Sequence, residues 1–136
     1  VRSHEGKSLS LYRSGIGKCL LAWQPAAARK AIIEQLIWEQ ATPTTITRPQ
    51  QLNDELERIR QRGWSFDNGE DYPDVRCVAA PVFNANNELT AAISVVGTRL
   101  QINEENRDYL AGKAIACARD ISRLLGWKSP FDSLAS

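Results

Sequence analysis

VRCVAAPVFNANNELTAAISVVG, residues 75–97, is the stretch that decides the fold. Two runs of β-branched and small apolar residues, Val75 to Phe83 and Glu88 to Gly97, flank Asn84 to Asn87, a cluster of turn formers. This order predicts a β-hairpin. Just upstream, residues 67–74 read DNGEDYPD, an acid-rich turn with almost no apolar residue that runs into Cys77. Carboxylates and a thiol at the mouth of a buried strand admit three chemistries: a metal site, a catalytic cysteine, or a pocket for a small polar molecule. Trp64 to Phe66 is a further short extended piece.

Outward from the hairpin the pattern turns helical. Leu52, Leu56 and Ile59 recur at helical spacing until Gly63, with Thr47 and Gln50 read as a capping box in front of them. Thr42 to Thr47, β-branched and broken by Pro43, is a loop. Pro25 suits the first turn of a helix whose apolar face is Ile32, Ile33, Leu36 and Ile37. Ser14 through Trp23 is a glycine-rich turn opening another helix, with Ser14 as N-cap. Residues 1–13, with Leu9, Leu11 and Tyr12 alternating, suggest a strand or strand end. At the other end Asn103 is read as the N-cap of a last helix. Its buried stripe is Leu110, Ala114, Cys117, Ile121 and Leu124, and Gly126 follows its end. Strands among long helices predict an α+β fold, with helices packed on a mostly antiparallel sheet.

At 136 residues the chain suits one domain that buries roughly two thirds of its unfolded surface. No apolar run approaches the ~20 residues of a membrane helix, so a soluble protein without membrane contact is expected. Cys19, Cys77 and Cys117 are odd in number and include no CxxC pair, which fits reduced thiols in a cytoplasm. With a net charge of +1 and basic residues scattered among acids, no nucleic-acid footprint is present. Arg29, Lys30, Arg58, Arg60 and Arg62 read as solvated helix faces. The start at Val1 rather than Met reads as a piece of something longer.

Each candidate chemistry has a plainer rival. Asp67, Glu70, Asp71 and Asp74 lack the rhythm and distal Glu of a calcium loop, and zinc would require more than His4 and scattered thiols, so a solvated acidic turn is preferred and no metal is assigned. Glu70 is read as fixing that turn by accepting backbone hydrogen bonds. Cys77 has no partner histidine and faces carboxylates, which disfavour a thiolate. Cys19 and Cys117 are read as small core residues. Trp23, Trp38 and Trp64 are read as core or interface anchors, and Trp127 as a cover for an apolar patch or a partner. The Ser14-Gly15-Ile16-Gly17 turn offers backbone N–H groups that suit an anion, although an ordinary tight turn explains it as well.

Gly63, Asp67, Glu70, Cys77-Val78-Ala79 and Val82-Phe83-Asn84 together resemble, in identity and spacing, the signature of the IclR-type bacterial transcription regulators. Leu11-Tyr12, Gly15-Ile16-Gly17-Lys18, Leu20-Leu21-Ala22, Thr42, Thr45-Ile46 and Ala91 to Val95 extend the resemblance over nearly the whole chain, weakening after Gly126. It implies the effector-binding domain, related to GAF and PAS sensor domains, of a homodimeric or homotetrameric repressor or activator. It implies no enzyme and no cofactor. DNA would be met only through an N-terminal winged helix-turn-helix that these 136 residues lack, along with the first elements of the effector domain. The family's pocket positions fall on Gly15 and Ile16 as backbone donors to a ligand carboxylate, Asp67 and Cys77 as lining, and Ser94 as an inward hydroxyl. Val96 stands where a second serine is common, so a ligand identical to the glyoxylate or pyruvate of some members is less secure. An ionised Asp67 would repel a second carboxylate and welcome a hydroxyl donor, which points to a keto, hydroxy or sugar acid as the small organic acid effector. Two alternatives remain: a small α+β enzyme using Asp67 and Cys77, and an oligomerisation module without ligand.

Overall fold

In the computed structural model, which describes residues 10–129, the elements run α1 (Gly15–Ala22), α2 (Ala26–Glu34), α3 (Pro49–Arg62), β1 (Ser65–Asn68), β2 (Val75–Phe83), β3 (Leu89–Thr98) and α4 (Arg107–Leu124). The sheet is antiparallel in the order β1-β2-β3. The hairpin forms where expected. Asn84 Oδ1 accepts from the Asn86 and Glu88 amides, and Asn87 takes the left-handed conformation at φ 59°. A bulge at Val82/Phe83 shifts the register next to this turn.

Alternation along β2 gives the sheet two unlike faces. Val78, Ala80 and Val82 join Trp64, Phe66 and partly buried Ile93 under α4. Cys77 and Ala79 point the other way and pack with Cys19, Ile16, Trp23 and Ala92 under α1. Behind α1, Leu52, Leu56 and Ile59 of α3 and Ile33 of α2 build a second apolar cluster with Tyr12, Leu21 and Ile46. The domain is thus three layered, with α4, the sheet, and α1 to α3 in turn.

Local chemistry sets the helix ends. Ser14 caps α1 by accepting the Gly17 N–H at 2.9 Å. A Cβ on Gly17 would lie 2.1 Å from the Ser10 carbonyl oxygen, so only glycine lets the preceding turn close. Gly63 ends α3 at φ 90°. After α4, Trp127 N donates to Ser122 O and Gly126 N to Arg123 O, the paired bonds of a Schellman ending. This seats the Trp127 indole on Phe83 at 6.0 Å, with its Nε1 donating to Asn87 Oδ1. Trp64 is in the core, Trp23 meets Phe83 edge-on, and Trp38 leans on Tyr12.

Several expectations are corrected. Leu9 and His4 lie outside the described residues, but Leu11 and Tyr12 sit in a turn, not a strand. Ser10 Oγ accepts the Tyr12 and Arg13 amides, offering that backbone an alternative to a ladder. Pro25 is the residue before α2, and α2 ends at Glu34. Ile37 therefore falls past the helix and is 84% exposed. The Thr47/Gln50 capping box does not form. Pro49 starts α3 with Arg48 as the N-cap, so Gln51 reaches back to the Thr47 amide while Gln50 turns to Asp54. Asn103 caps a turn ahead of α4, accepting from Glu105 and Asn106, and the helix itself begins at Arg107. The buried row of α4 is Ala111, Ala114, Ala118 and Ser122, while Cys117 and Leu124 face solvent. Leu110 and Ile121 sit at its margins. Small residues win the contact row because Phe66, Val78 and Val82 already fill the space, and alanine lets the helix close on them.

Candidate functional site

The register of the sheet assembles most of the candidates. Asp67 pairs with Cys77 and Cys77 with Val96, so these three stand side by side across the strands. The next row of the same face carries Ser65, Ala79 and Ser94. Ser94 thus stands one row from Cys77 on the adjoining strand. The start of α1 lies directly over this face. Ser65 Oγ donates to the Gly15 carbonyl, and Ile16 packs on Cys19, Cys77 and Ala79. All six predicted positions, Gly15, Ile16, Asp67, Cys77, Ser94 and Val96, therefore belong to one neighbourhood between α1 and the sheet.

Gly15 has a reason of its own. A Cβ there would stand 2.7 Å from Cys77 Sγ, so glycine is needed for the helix to touch the strand, whatever a ligand requires. Among the described residues the Gly15 and Ile16 amides, the first two of α1, find no acceptor, as the geometry of a helix start dictates. Ile16 and Ser94 are half-buried and Val96 is 44% exposed, so the neighbourhood opens toward β3. A hollow of about 360 Å³ lies elsewhere, between α2 and α3, lined by Arg29, Lys30, Ile33 and Asn53 among others.

The acidic turn resolves into separate, satisfied contacts. Asp67 Oδ1 accepts the Glu70 amide at 2.9 Å. Glu70 Oε2 accepts the Asn68 amide at 2.9 Å, as expected of a residue that fixes the turn. Asp71 meets Arg13 at 3.1 Å and Asp74 meets Arg99 at 3.4 Å. Thr42, Thr44 and Thr45 hold the loop from behind, Thr45 Oγ1 donating to the Glu70 carbonyl and Thr42 Oγ1 to that of Gly69. Among the described residues no three His, Cys, Asp or Glu side chains are grouped to hold a metal ion.

Sequence reading missed Lys18. Its side chain is 1% exposed, and Nζ donates to the Phe66 carbonyl at 2.6 Å and to both Glu70 oxygens at 3.0 and 2.9 Å. The signal available was its place in Gly15-Ile16-Gly17-Lys18, where i, i+3 spacing puts it on the face of Gly15. Burial pushes the Asp67 carboxyl up to about 6. The Glu70 amide bond and Lys18 pull it down, while the Glu70 and Asp71 charges add to the rise. Asp67 is thus largely ionised at neutral pH. Burial, with the Asp67 charge behind it, pushes the Cys77 thiol up to about 12, and burial also lifts Cys19 to about 12. Both thiols stay protonated, which is the opposite of a catalytic thiolate.

Residues 1–123 match the family model described as Bacterial transcriptional regulator IclR C-terminal. The chain belongs to this family. Over 136 residues it is 88% identical to a protein named as the uncharacterized HTH-type transcriptional regulator RhmR of Escherichia coli K12, covering all of this chain and 52% of that protein. The IclR crystal structure from Thermotoga maritima superposes with a TM-score of 0.88 at 34% identity, over 93% of this chain and 51% of that one. The C-terminal domain of E. coli KdgR gives a TM-score of 0.80 at 33% identity, over 86% of this chain and 71% of that one. The chain spans about half the length of RhmR. The IclR assignment replaces the enzyme alternative with a family of regulators, and it agrees with the α+β fold. No described helix is long and apolar enough to cross a membrane.

Proposed function

We propose that residues 1–136 form the effector-binding domain of a cytoplasmic, homo-oligomeric transcriptional regulator. It takes a small keto, hydroxy or sugar acid, and DNA is met by a separate winged helix-turn-helix outside this sequence. The observation that carries the reading is the juxtaposition of two unpaired helix-start amides, at Gly15 and Ile16, with the row Asp67, Cys77 and Val96. The amides suit a carboxylate head. Asp67, mostly ionised at neutral pH, repels a second carboxylate and accepts from a hydroxyl on the tail. The protonated Cys77 and the Ser94 hydroxyl add weak polar contacts, and Ile16, Ala79 and Val96 supply apolar wall. Binding at the joint between α1 and the sheet would favour one arrangement of subunits over another and so change how the DNA-binding domains are presented.

Calorimetric titration of the protein with glyoxylate, pyruvate, D-gluconate and related acids tests the proposal. Saturable binding that is lost in the Asp67→Ala/Ser94→Ala variant supports it. Silence across the panel, or undiminished binding by that variant, removes the ligand and leaves an oligomerisation module.

A further inference from the structure

We propose that Lys18 is the positioning residue of this site, clamping the turn that carries Asp67 onto the start of helix α1. The inference rests on the ligand-binding reading for its functional meaning but on contacts alone for its mechanics. Lys18 grips the chain on both sides of Asp67: the Phe66 carbonyl immediately before it at 2.6 Å, and the Glu70 carboxylate three residues after it at 2.9 and 3.0 Å. Glu70 passes the constraint inward, since its amide donates to Asp67 Oδ1 and its carboxylate accepts the Asn68 amide. Lys18 is itself one turn beyond Gly15, on the same helix that holds the two unpaired amides. The distance between the anion anchor and the Asp67 carboxylate is therefore held by Lys18 together with the Ser65 Oγ bond to the Gly15 carbonyl, while Thr42, Thr44 and Thr45 brace the turn from behind.

An ion pair this deeply buried is poorly explained as a stability device. Neutral groups of similar volume commonly serve as well, because desolvating two charges offsets most of their attraction. What the ammonium adds is direction. It satisfies three oxygen acceptors at once, which a methionine of similar length cannot. The titratable groups facing Asp67 are Lys18 from α1, Glu70 and Asp71 from its own turn, and the protonated Cys77 from β2. Lys18 is the one cation among them.

The test replaces both partners, Lys18→Met with Glu70→Gln, so that volume is kept and no lone charge is stranded. Amide hydrogen exchange of the whole chain is followed by NMR, alongside titration with the acid panel above. The expected outcome is exchange at the Asn68 and Glu70 amides faster by about tenfold or more, with the β2 amides of Val78 and Ala80 unchanged. Affinity for whichever acid binds the parent chain drops by a similar factor. A purely space-filling role would leave exchange at Asn68 and Glu70 as it is, and that result overturns the proposal. Because the exchange arm involves no ligand, failure of the acid panel would remove the effector reading without touching the clamp. If the paired variant does not fold, Lys18→Gln with Glu70→Gln, which also strands no charge and keeps polar groups at both positions, carries the same two readouts.

Discussion

The two faces of one three-stranded sheet are built on opposite rules. Under α4 the strands offer Phe66, Val78, Ala80 and Val82, and the helix answers with Ala111, Ala114 and Ala118, an interface of shape and apolar area. Under α1 the alternate residues of the same strands offer Ser65, Asp67, Cys77 and Ser94 beside Ala79, and the helix answers with buried Lys18 and backbone as well as Ile16 and Cys19. The first face stabilises by removing hydrocarbon from water. The second spends stability on buried polar groups, each of which requires a partner. A site can be kept on the second face because the first supplies a surplus.

Measurements that contrast the faces can break this picture. The largest effect is expected from Glu70→Ala, which strands the Lys18 charge in the interior and should cost about 3–5 kcal/mol in denaturant unfolding. Val78→Ala on the α4 face, a cavity of modest size, should cost about 2 kcal/mol and leave acid binding intact. Equal costs, or lost binding in Val78→Ala, would erase the distinction.

Next in size is Asp67→Asn. Asp67 titrates near 6 when folded and near 3.8 as an ordinary carboxyl, so the folded state binds the proton more tightly. Stability on its account is greatest below about pH 4 and is lost as pH rises through 6. The asparagine variant keeps an acceptor for the Glu70 amide and escapes that loss. It should be more stable than the parent by up to roughly 3 kcal/mol at pH 8, with the gap closing below pH 4. Urea midpoints at several pH values check the sign. A constant gap would mean that Asp67 is not held in a desolvated setting.

The smallest effect is chemical. Iodoacetamide at pH 7.5 should modify exposed Cys117 first and spare Cys19 and Cys77 until the chain unfolds, as peptide mapping would show. Rapid labelling of Cys77 in the folded protein would return thiol chemistry to consideration.

Residues with strong local meaning were readable in advance. Asn84 to Asn87 made the turn, Gly63 and Gly126 ended their helices, and the β-branched runs made the strands, because a turn or cap depends on one or two residues and their immediate neighbours. The α4 face was misjudged, since Leu124 is apolar enough for a core yet is 86% exposed, while Ala118 is buried. Periodicity shows that a helix has a face. Which of two adjacent rows meets the sheet depends on the bulk already present opposite it. The burial of Lys18 was not legible for a stronger reason: a lysine in sequence is a solvated charge until a carboxylate 52 residues away meets it in a dry interior.

By itself, then, the sequence determined the four helices in outline, the hairpin and the family, because these follow from periods, turn residues and a signature held in short segments. Only the tertiary structure decided that Asp67, Cys77 and Val96 share a row, that Gly15 is glycine so that α1 can rest on Cys77, and that Lys18 ties the two together. Register and burial are properties of pairs distant in the chain, and no local window contains both members.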